Sequence, residues 1–330
     1  MLAFQVTKPG QAPALGPLDR PEPGPGEARI RIIACGLNFA DLLQIDGRYQ
    51  ERAIPPFTLG MEIAGFVDAL GPGTDGLAPG SRIAVLAPSG GLAEYACVSA
   101  AACLPLPDAM SFEAAAAFQI AYGTSHVALM RRAALRPGET LLVTGAAGGV
   151  GLTAVELGKL CGARVIAVAR GAEKLAVARA AGADDLIDSE EVRAPASLKA
   201  ALKALGGVDV AYETVGGDMF MAALGAMRPE GRLLTIGFAG GTIPQIPANL
   251  LLVKNLSVIG LYFGGYSAFA PKVLADSTAA LLDLFAQGRL HPHIGHVLPL
   301  ARAGDALDLL RARQSTGKVV VRCDQLENPA

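Results

Sequence analysis

From Leu141 onward the sequence repeats one pattern: a short apolar run, a turn, then a stretch with helical period. LLVTG, RVIAVA, DDLID, VDVAYE, RLLTIGF and LSVIGLY read as six strands, and GGVGLTAVELGKLCG, AEKLAVARAAG, ASLKAALKAL and GDMFMAALGAM as the helices between the earlier ones. Strands separated by helices join in parallel, because a parallel neighbour needs a crossover long enough to hold a helix. The helices then cover both faces of the sheet, which accounts for strands that are apolar throughout rather than alternating. Six such strands match the doubly wound order, in which a ligand binds beyond the carboxyl ends of the strands.

The first strand and first helix meet in VTGAAGGVGLTAVELGK, Val143 to Lys159. Gly145 ends the strand, Gly148 leaves room for backbone to approach a pyrophosphate, and Gly151 lets the helix sit close to the sheet. Ala146 takes the first position of the usual G-x-G-x-x-G, and Gly149 and Val150 complete the elbow at a helix start suited to a phosphate. The alternative is a tight turn that binds nothing; a strand before, a helix after and five further strands favour a dinucleotide. In an NAD site an acid about 20 residues on holds the ribose 2′-hydroxyl. Here RVIAVARGAEK carries Ala169 and Arg170 in that place. Arg170 and Lys174 suit a 2′-phosphate, so NADPH is the cofactor expected; the alternative is two solvated charges at a helix start.

Residues 1–120 differ in kind, with strands and many Pro/Gly turns in PEPGPGEARIRI, LGMEIAGFVDALGPG, GLAPGSRIAVLA and GLAEYACV. They read as an irregular, largely antiparallel β domain. The tail HIGHVLPLARAGDALDLLRARQSTGKVVVRC returns to a strand, helix, strand pattern and is expected to fold back onto that domain. The fold class expected is α/β, a doubly wound six-stranded parallel sheet inserted into the β domain. Its boundaries are 1–122, 123–264 for the nucleotide domain, and 265–330. A length of 330 residues accommodates two domains.

The chain is 52% apolar with a mean hydropathy of +0.40, yet no run approaches the ~18 apolar residues of a membrane span. A net charge of −2 with both signs interspersed offers no basic face for nucleic acid. MLAFQVTKPGQ lacks the basic and apolar regions of a signal peptide and reads as a first strand. The five cysteines are scattered, with no C-x-x-C spacing, which suits a reducing cytoplasm.

GETLLVTGAAGGVGLTAVELGK, CGLNFADLLQIDGRY, LGMEIAGFV and the closing TGKVVVR together resemble the zinc-independent quinone oxidoreductases of the medium-chain dehydrogenase/reductase superfamily. The resemblance spans nearly the whole chain in segment order and implies a GroES-like substrate domain and a homodimer joined through the nucleotide domains near LSVIGLY. Two departures stand out: Glu156, where that branch usually has Gln, expected to matter little on a helix; and Leu43, where several relatives carry a Tyr facing the substrate. Zinc-dependent relatives place metal ligands where this chain has Asn38, Met61 and Ile120, none of them a group that Zn²⁺ prefers. A zinc-free protein is expected. HPHIGH, with His291, His293 and His296, places two rings on one strand face but has no acidic or thiolate neighbour, and reads as ordinary surface.

Without a Lewis acid an unactivated ketone is a poor hydride acceptor, whereas a quinone or conjugated enone yields a delocalised anion that a few hydrogen-bond donors can stabilise. For the catalytic positions the resemblance points to Asn38, Asp41 and Tyr49. Asn38 offers an amide and Tyr49 a phenol, while Asp41 suits orienting neighbours; Asn38 and Asp41 are equally at home capping the helix FADLLQIDG. Further cofactor contacts implied by placement are Thr124, Gly237, Phe238, Phe263 and Lys318. Three readings follow: an NADPH-dependent two-electron quinone reductase, an enone or enoyl-thioester reductase, and a non-catalytic NADPH-binding or adaptor protein.

Overall fold

The computed structural model describes residues 1–324. The chain divides into two compact units, the first made of Met1–Ile120 and the segment from Pro292 onward, the second of Ala121–His291. In the first unit β1 (Leu2–Val6), β2 (Ala14–Pro17), β3 (Glu27–Leu37), β4 (Phe57–Thr58), β5 (Glu62–Leu70), β6 (Arg82–Leu86), β7 (Tyr95–Ser99) and β8 (Leu104–Pro105) follow in chain order. Helix α1 (Phe39–Ile45) follows β3 and α2 (Phe112–Ala116) follows β8. The chain leaves this unit within α3 (Gln119–His126).

The second unit alternates as the sequence pattern requires: β9 (Thr140–Thr144), α4 (Gly149–Leu160), β10 (Arg164–Ala169), α5 (Ala172–Ala180), β11 (Asp185–Asp188), α6 (Pro195–Ala204), β12 (Val208–Glu213), α7 (Gly217–Ala226) and β13 (Met227–Thr235). After these come α8 (Ala248–Lys254), β14 (Ser257–Gly260), α9 (Tyr266–Phe269) and α10 (Pro271–Ala286). Its sheet has the order β11-β10-β9-β12-β13-β14 with every neighbouring pair parallel. Counted within the unit this is the 3-2-1-4-5-6 order of a doubly wound sheet. All five residues of β9 are buried, as a central strand covered on both faces demands. Gly158 of α4 supports that covering, since a Cβ there would lie 2.5 Å from Leu141 Cδ2.

The chain returns to the first unit as β15 (Ile294–Pro299), α11 (Ala303–Arg311) and β16 (Lys318–Arg322). Its larger sheet has the order β15-β16-β3-β5-β6-β8, with β7 also paired to β3, and is antiparallel except between β15 and β16. Strands β2, β1 and β4 make a small antiparallel sheet beside it. Strand β3 lies at the middle because its eleven residues are long enough to pair with β16, β5 and β7.

Two expectations are corrected here. The return comes at Pro292 rather than near residue 265. Helix α10 belongs to the nucleotide unit, where Ser277 and Leu281 are buried and Ser277 Oγ lies 2.8 Å from His126 Nδ1. Glu156 is also more than a passive helix position: its carboxylate accepts from the Tyr122 hydroxyl at 2.6 Å and from the His291 main-chain N–H at 2.9 Å. A glutamine there would keep one acceptor oxygen where the carboxylate has two. His291 and His293 bond to Glu156 and Thr316 respectively, and among the described residues no three or more His, Cys, Asp or Glu gather as a metal site.

Gly36 of β3 shows how closely the first unit is packed, since a Cβ there would lie 1.7 Å from the Ala116 carbonyl oxygen of α2. Backbone cannot yield as a side-chain tip can. Gly36→Ala is therefore expected to destabilise the protein by about 2 kcal/mol or more, read as a lowered urea midpoint; an unchanged midpoint would contradict this close approach.

Candidate active site

The second unit presents its glycine elbow at the carboxyl end of β9. Gly145 has φ +59°, and a Cβ there would come 2.5 Å from Thr214 Oγ1. At Gly151 a Cβ would lie 2.2 Å from the Gly145 carbonyl oxygen, so only glycine lets α4 start this close to the strand. Gly148 is the N-cap of α4, and a Cβ there would meet only the Gly145 carbonyl oxygen, at 3.3 Å. The first turn of α4 follows it, and the N–H groups there have no carbonyl one turn back to bond. Ala146 is fully buried and its N–H donates to the Val168 carbonyl, which ties the elbow to β10.

The elbow is held from the neighbouring strand. Thr144 Oγ1 donates to Glu213 Oε1 and accepts from the Thr214 N–H, both at 3.0 Å, while Thr214 Oγ1 donates to the Thr144 carbonyl at 2.9 Å. Glu213 has no exposure to solvent and also accepts from the N–H groups of Val215 and Gly216. Burial raises its pKa, and those donors oppose the rise. The loop after β13 joins the same place, with Ala239 and Gly240 donating to the Thr214 and Val215 carbonyls. Gly237 is open, a Cβ there meeting nothing nearer than the Thr214 carbonyl at 3.7 Å, whereas Phe238 packs on Gly216. Thus the loops after β9, β12 and β13 converge where the strand order reverses, the place at which such sheets bind ligands.

At the ribose end Arg170 is exposed and Lys174 half-buried. Between them Gly171, at φ +79°, donates its N–H to Asp188 Oδ1. That carboxylate also accepts from the Glu190 N–H, and the two donors hold it below the usual carboxylate range.

In the first unit Asn38 N-caps α1. Its N–H donates to Asp41 Oδ2 at 2.7 Å. Asn38 Oδ1 accepts from Lys318 Nζ at 2.7 Å, and Asn38 Nδ2 donates to the Gly36 carbonyl and to Glu62 Oε2, both at 3.2 Å. Glu62 Oε2 also accepts from Lys318 Nζ at 2.8 Å, while its Oε1 accepts from the Ile120 N–H at 3.0 Å. Glu62 and Asp41 are 0% exposed and Lys318 5%. Burial pushes the Asp41 carboxyl up to about 7, opposed by the Asn38 N–H and the Lys318 charge.

Both units match known domain families: the alcohol dehydrogenase GroES-like domain over residues 24–108 and the zinc-binding dehydrogenase domain over 149–279. The chain is 41% identical over 301 residues to quinone oxidoreductase-like protein 2 of Bos taurus, covering 90% of this chain and 85% of that one. The chain belongs to the zinc-independent quinone oxidoreductase branch of the medium-chain dehydrogenase/reductases. Among solved structures, the quinone oxidoreductase of Thermus thermophilus, described also as its complex with NADPH, is 37% identical with a TM-score of 0.84, covering 98% of this chain and 100% of that one. The Escherichia coli quinone oxidoreductase complexed with NADPH is 26% identical with a TM-score of 0.87 over the same shares.

Within this family fold the predicted residues separate. Gly145 and Gly237 both approach Thr214 and Phe238 lies against Gly216, so the elbow from Gly145 to Gly151, with Ala146, Gly149 and Val150 in it, meets the loop after β13 at the end of β12. Phe263 packs its ring on Gly123, one residue from the buried Thr124. Lys318 stands in the first unit with Asn38 and Asp41. Tyr49 does not join them: it lines a cavity of about 290 Å³ with Gln44, Arg52 and Phe57, and Gln44 lies about 9 Å along α1 from Asn38. The Asn38 amide, expected to donate to a ligand, has both kinds of polar atom committed within the protein. Sequence reasoning missed Glu62 and Glu213. The signal for each was a carboxylate in an otherwise apolar strand, in LGMEIAG and VDVAYE.

Asp41 supplies a test of this cluster. Its unfolded-state pKa is about 3.9, and between that value and about 7 the folded state keeps a proton that the unfolded chain has lost. Its contribution to stability is therefore full at low pH and declines as pH rises through that window. Asp41→Asn, neutral throughout, is expected to gain in melting temperature relative to the unaltered protein as pH goes from about 5 to about 8. A difference that stays constant would show Asp41 ionised across the range.

Proposed function

We propose that this chain is an NADPH-dependent reductase that delivers two electrons to a quinone or similar conjugated carbonyl without a metal. The observation that carries the reading is the elbow: a Cβ at Gly148 would meet only the Gly145 carbonyl oxygen, whereas Gly145 and Gly151 have no room for one, so the strand, the turn and the start of α4 close up as backbone alone. A pyrophosphate fits such a cradle, accepting from the N–H groups that open α4. Arg170 and Lys174 would hold the 2′-phosphate, and Gly237, Phe238 and Thr124 would bound the nicotinamide end. Bound NADPH supplies a hydride from its nicotinamide ring. The reaction consumes one quinone, one NADPH and one proton and yields hydroquinone and NADP⁺.

The residues at the positions of the zinc ligands support a metal-free site. Asn38 is engaged by Lys318, Glu62 and Gly36, Ile120 enters the cluster only through its main-chain N–H, and Met61 offers a thioether. The adjacent Glu62 carboxylate is already neutralised by Lys318. Turnover of a simple benzoquinone with NADPH in chelator-treated protein tests the reading, with enones and enoyl thioesters run beside it. No turnover of any of these acceptors would leave a nucleotide-binding protein without this activity.

No helix among the described residues is long and apolar enough to cross a membrane, and the free cysteines suit a reducing cytoplasm. We place the partner copy of a homodimer at β14, the edge strand of the sheet. The segment leading into it exposes Ile243, Leu252 and Val253 at 65%, 78% and 70%, and an edge strand beside apolar surface calls for a cover. Light scattering at micromolar concentration should give twice the chain mass, and Leu252→Glu with Val253→Glu should shift it toward one; a monomeric unaltered protein would rule the dimer out.

The ribose end yields a sharper expectation. A charge-assisted contact contributes about 1.5–3 kcal/mol, or roughly 10- to 100-fold in affinity. Arg170→Ala should weaken NADPH by about that factor and leave NADH nearly unchanged, with Lys174→Ala acting the same way more weakly. Equal kcat/KM for the two cofactors in the unaltered protein would remove the 2′-phosphate site.

A further inference from the structure

We propose that Asp188 makes the ribose end a site for two cofactors, its carboxylate accepting from the adenosine 2′-hydroxyl of NADH where Arg170 and Lys174 answer the 2′-phosphate of NADPH. The assignment deepens the proposed function and rests on it, since it concerns how the nucleotide of that reading is chosen. A site that prefers NADH carries an acid at the end of its second strand, on the ribose hydroxyl. In β10 that end is Ala169, with Arg170 after it. The acid is restored from the neighbouring strand. Asp188 ends β11 and pairs in register with Ala169, and adjacent strands lie about 5 Å apart. Its side chain reaches the turn after β10, where Oδ1 accepts from the Gly171 N–H at 3.1 Å.

Holding that turn does not use up the carboxylate. Oδ1 takes both main-chain donors, Gly171 and Glu190, and Oδ2 takes no bond among the described residues. Asp188 is half-buried, and its two donors keep it ionised at neutral pH. Gly171 is the N-cap of α5, and negative charge is favoured at a helix start. An asparagine oxygen would nevertheless accept from the same two N–H groups. What the acid adds is charge, set beside the two cations that suit a phosphate.

Asp188 also connects the ribose end to a cavity of about 320 Å³. The Asp188 carbonyl accepts from the Val192 N–H at 3.3 Å. Val192 walls the cavity with Pro195, Leu198 and, from the end of β12, Val215 and Gly216. A purine fits a space of that size with largely apolar walls, which leaves its ribose for the Asp188 end. All of these residues belong to the second unit. A hydroxyl donating to a carboxylate there makes a charge-assisted bond, whereas a 2′-phosphate meets like charge that Arg170 and Lys174 must outweigh. Asp188 therefore narrows the preference for NADPH from both sides.

Asp188→Asn separates the charge from the turn. The amide oxygen keeps the two N–H bonds and the NH₂ takes the place of Oδ2, so an acceptor becomes a donor. Titration of the full chain, read by nicotinamide fluorescence without any acceptor, should show NADH weakened by about 5- to 10-fold and NADPH tightened by about 3- to 10-fold, at an unchanged melting temperature. A purely structural role for Asp188 would move both nucleotides the same way or neither, and either result overturns the assignment. A second measurement needs no variant: the NADH analogue lacking the adenosine 2′-hydroxyl should bind the unaltered protein about 10-fold more weakly than NADH. Equal affinity for the two, or binding of NADPH with none of NADH at millimolar concentration, overturns the assignment and leaves the NADPH-dependent reductase standing. A protein that binds neither NADH nor NADPH overturns the functional reading and this assignment together.

Discussion

A carboxylate shut away from water must receive its hydrogen bonds from the protein, and the first unit is arranged around one such group. Glu62 has no solvent exposure, and its oxygens gather an ammonium from β16, an amide from the start of α1 and a main-chain N–H from Ile120. Those three donors lie 256, 24 and 58 residues away in sequence. Satisfying one side chain therefore fixes where the returning strand, the helix after β3 and the end of the N-terminal segment stand relative to one another. Leaving any one unmade exposes a buried charge to the full cost of desolvation.

The second unit solves the same problem with another carboxylate and a different purpose. Glu213 is met by a threonine hydroxyl and two main-chain N–H groups, with no cation among those partners. Because Thr144 immediately precedes Gly145, this bonding sets the path of the chain as it enters the elbow. The glycines make the turn sterically possible, and the Thr144, Thr214 and Glu213 network makes it unique. Hydroxyl and amide donors fix position without adding the positive charge that a lysine brings to Glu62.

Much of the fold was legible because periodicity is a local property. Runs such as RVIAVA and VDVAYE are apolar on both faces, and helices of ten or so residues separate them, which leaves a parallel sheet as the way to pair them. The limit of the second unit was not legible at all. Nothing local distinguishes α10 from the strand and helix that follow it, and its placement depends on the contact of Ser277 with His126, 151 residues earlier. Glu156 is a similar case: on a helical wheel it is one more polar residue, and only the approach of Tyr122 and His291 gives it a task.

The sequence by itself determined the strand and helix order, the position of the phosphate elbow, the absence of an acid at Ala169 and Arg170, and the loss of metal-binding side chains at Asn38, Met61 and Ile120. Each of these is written in residue type and spacing over a few positions. Only the tertiary structure decided that Asn38 is spoken for, that Tyr49 lines a separate cavity, and that Lys318 keeps company with Glu62. The reason is physical: a side chain's chemistry depends on how many of its donors and acceptors remain after its neighbours have taken theirs. Those neighbours come from strands and helices far apart in the chain, and are counted only when the chain has folded.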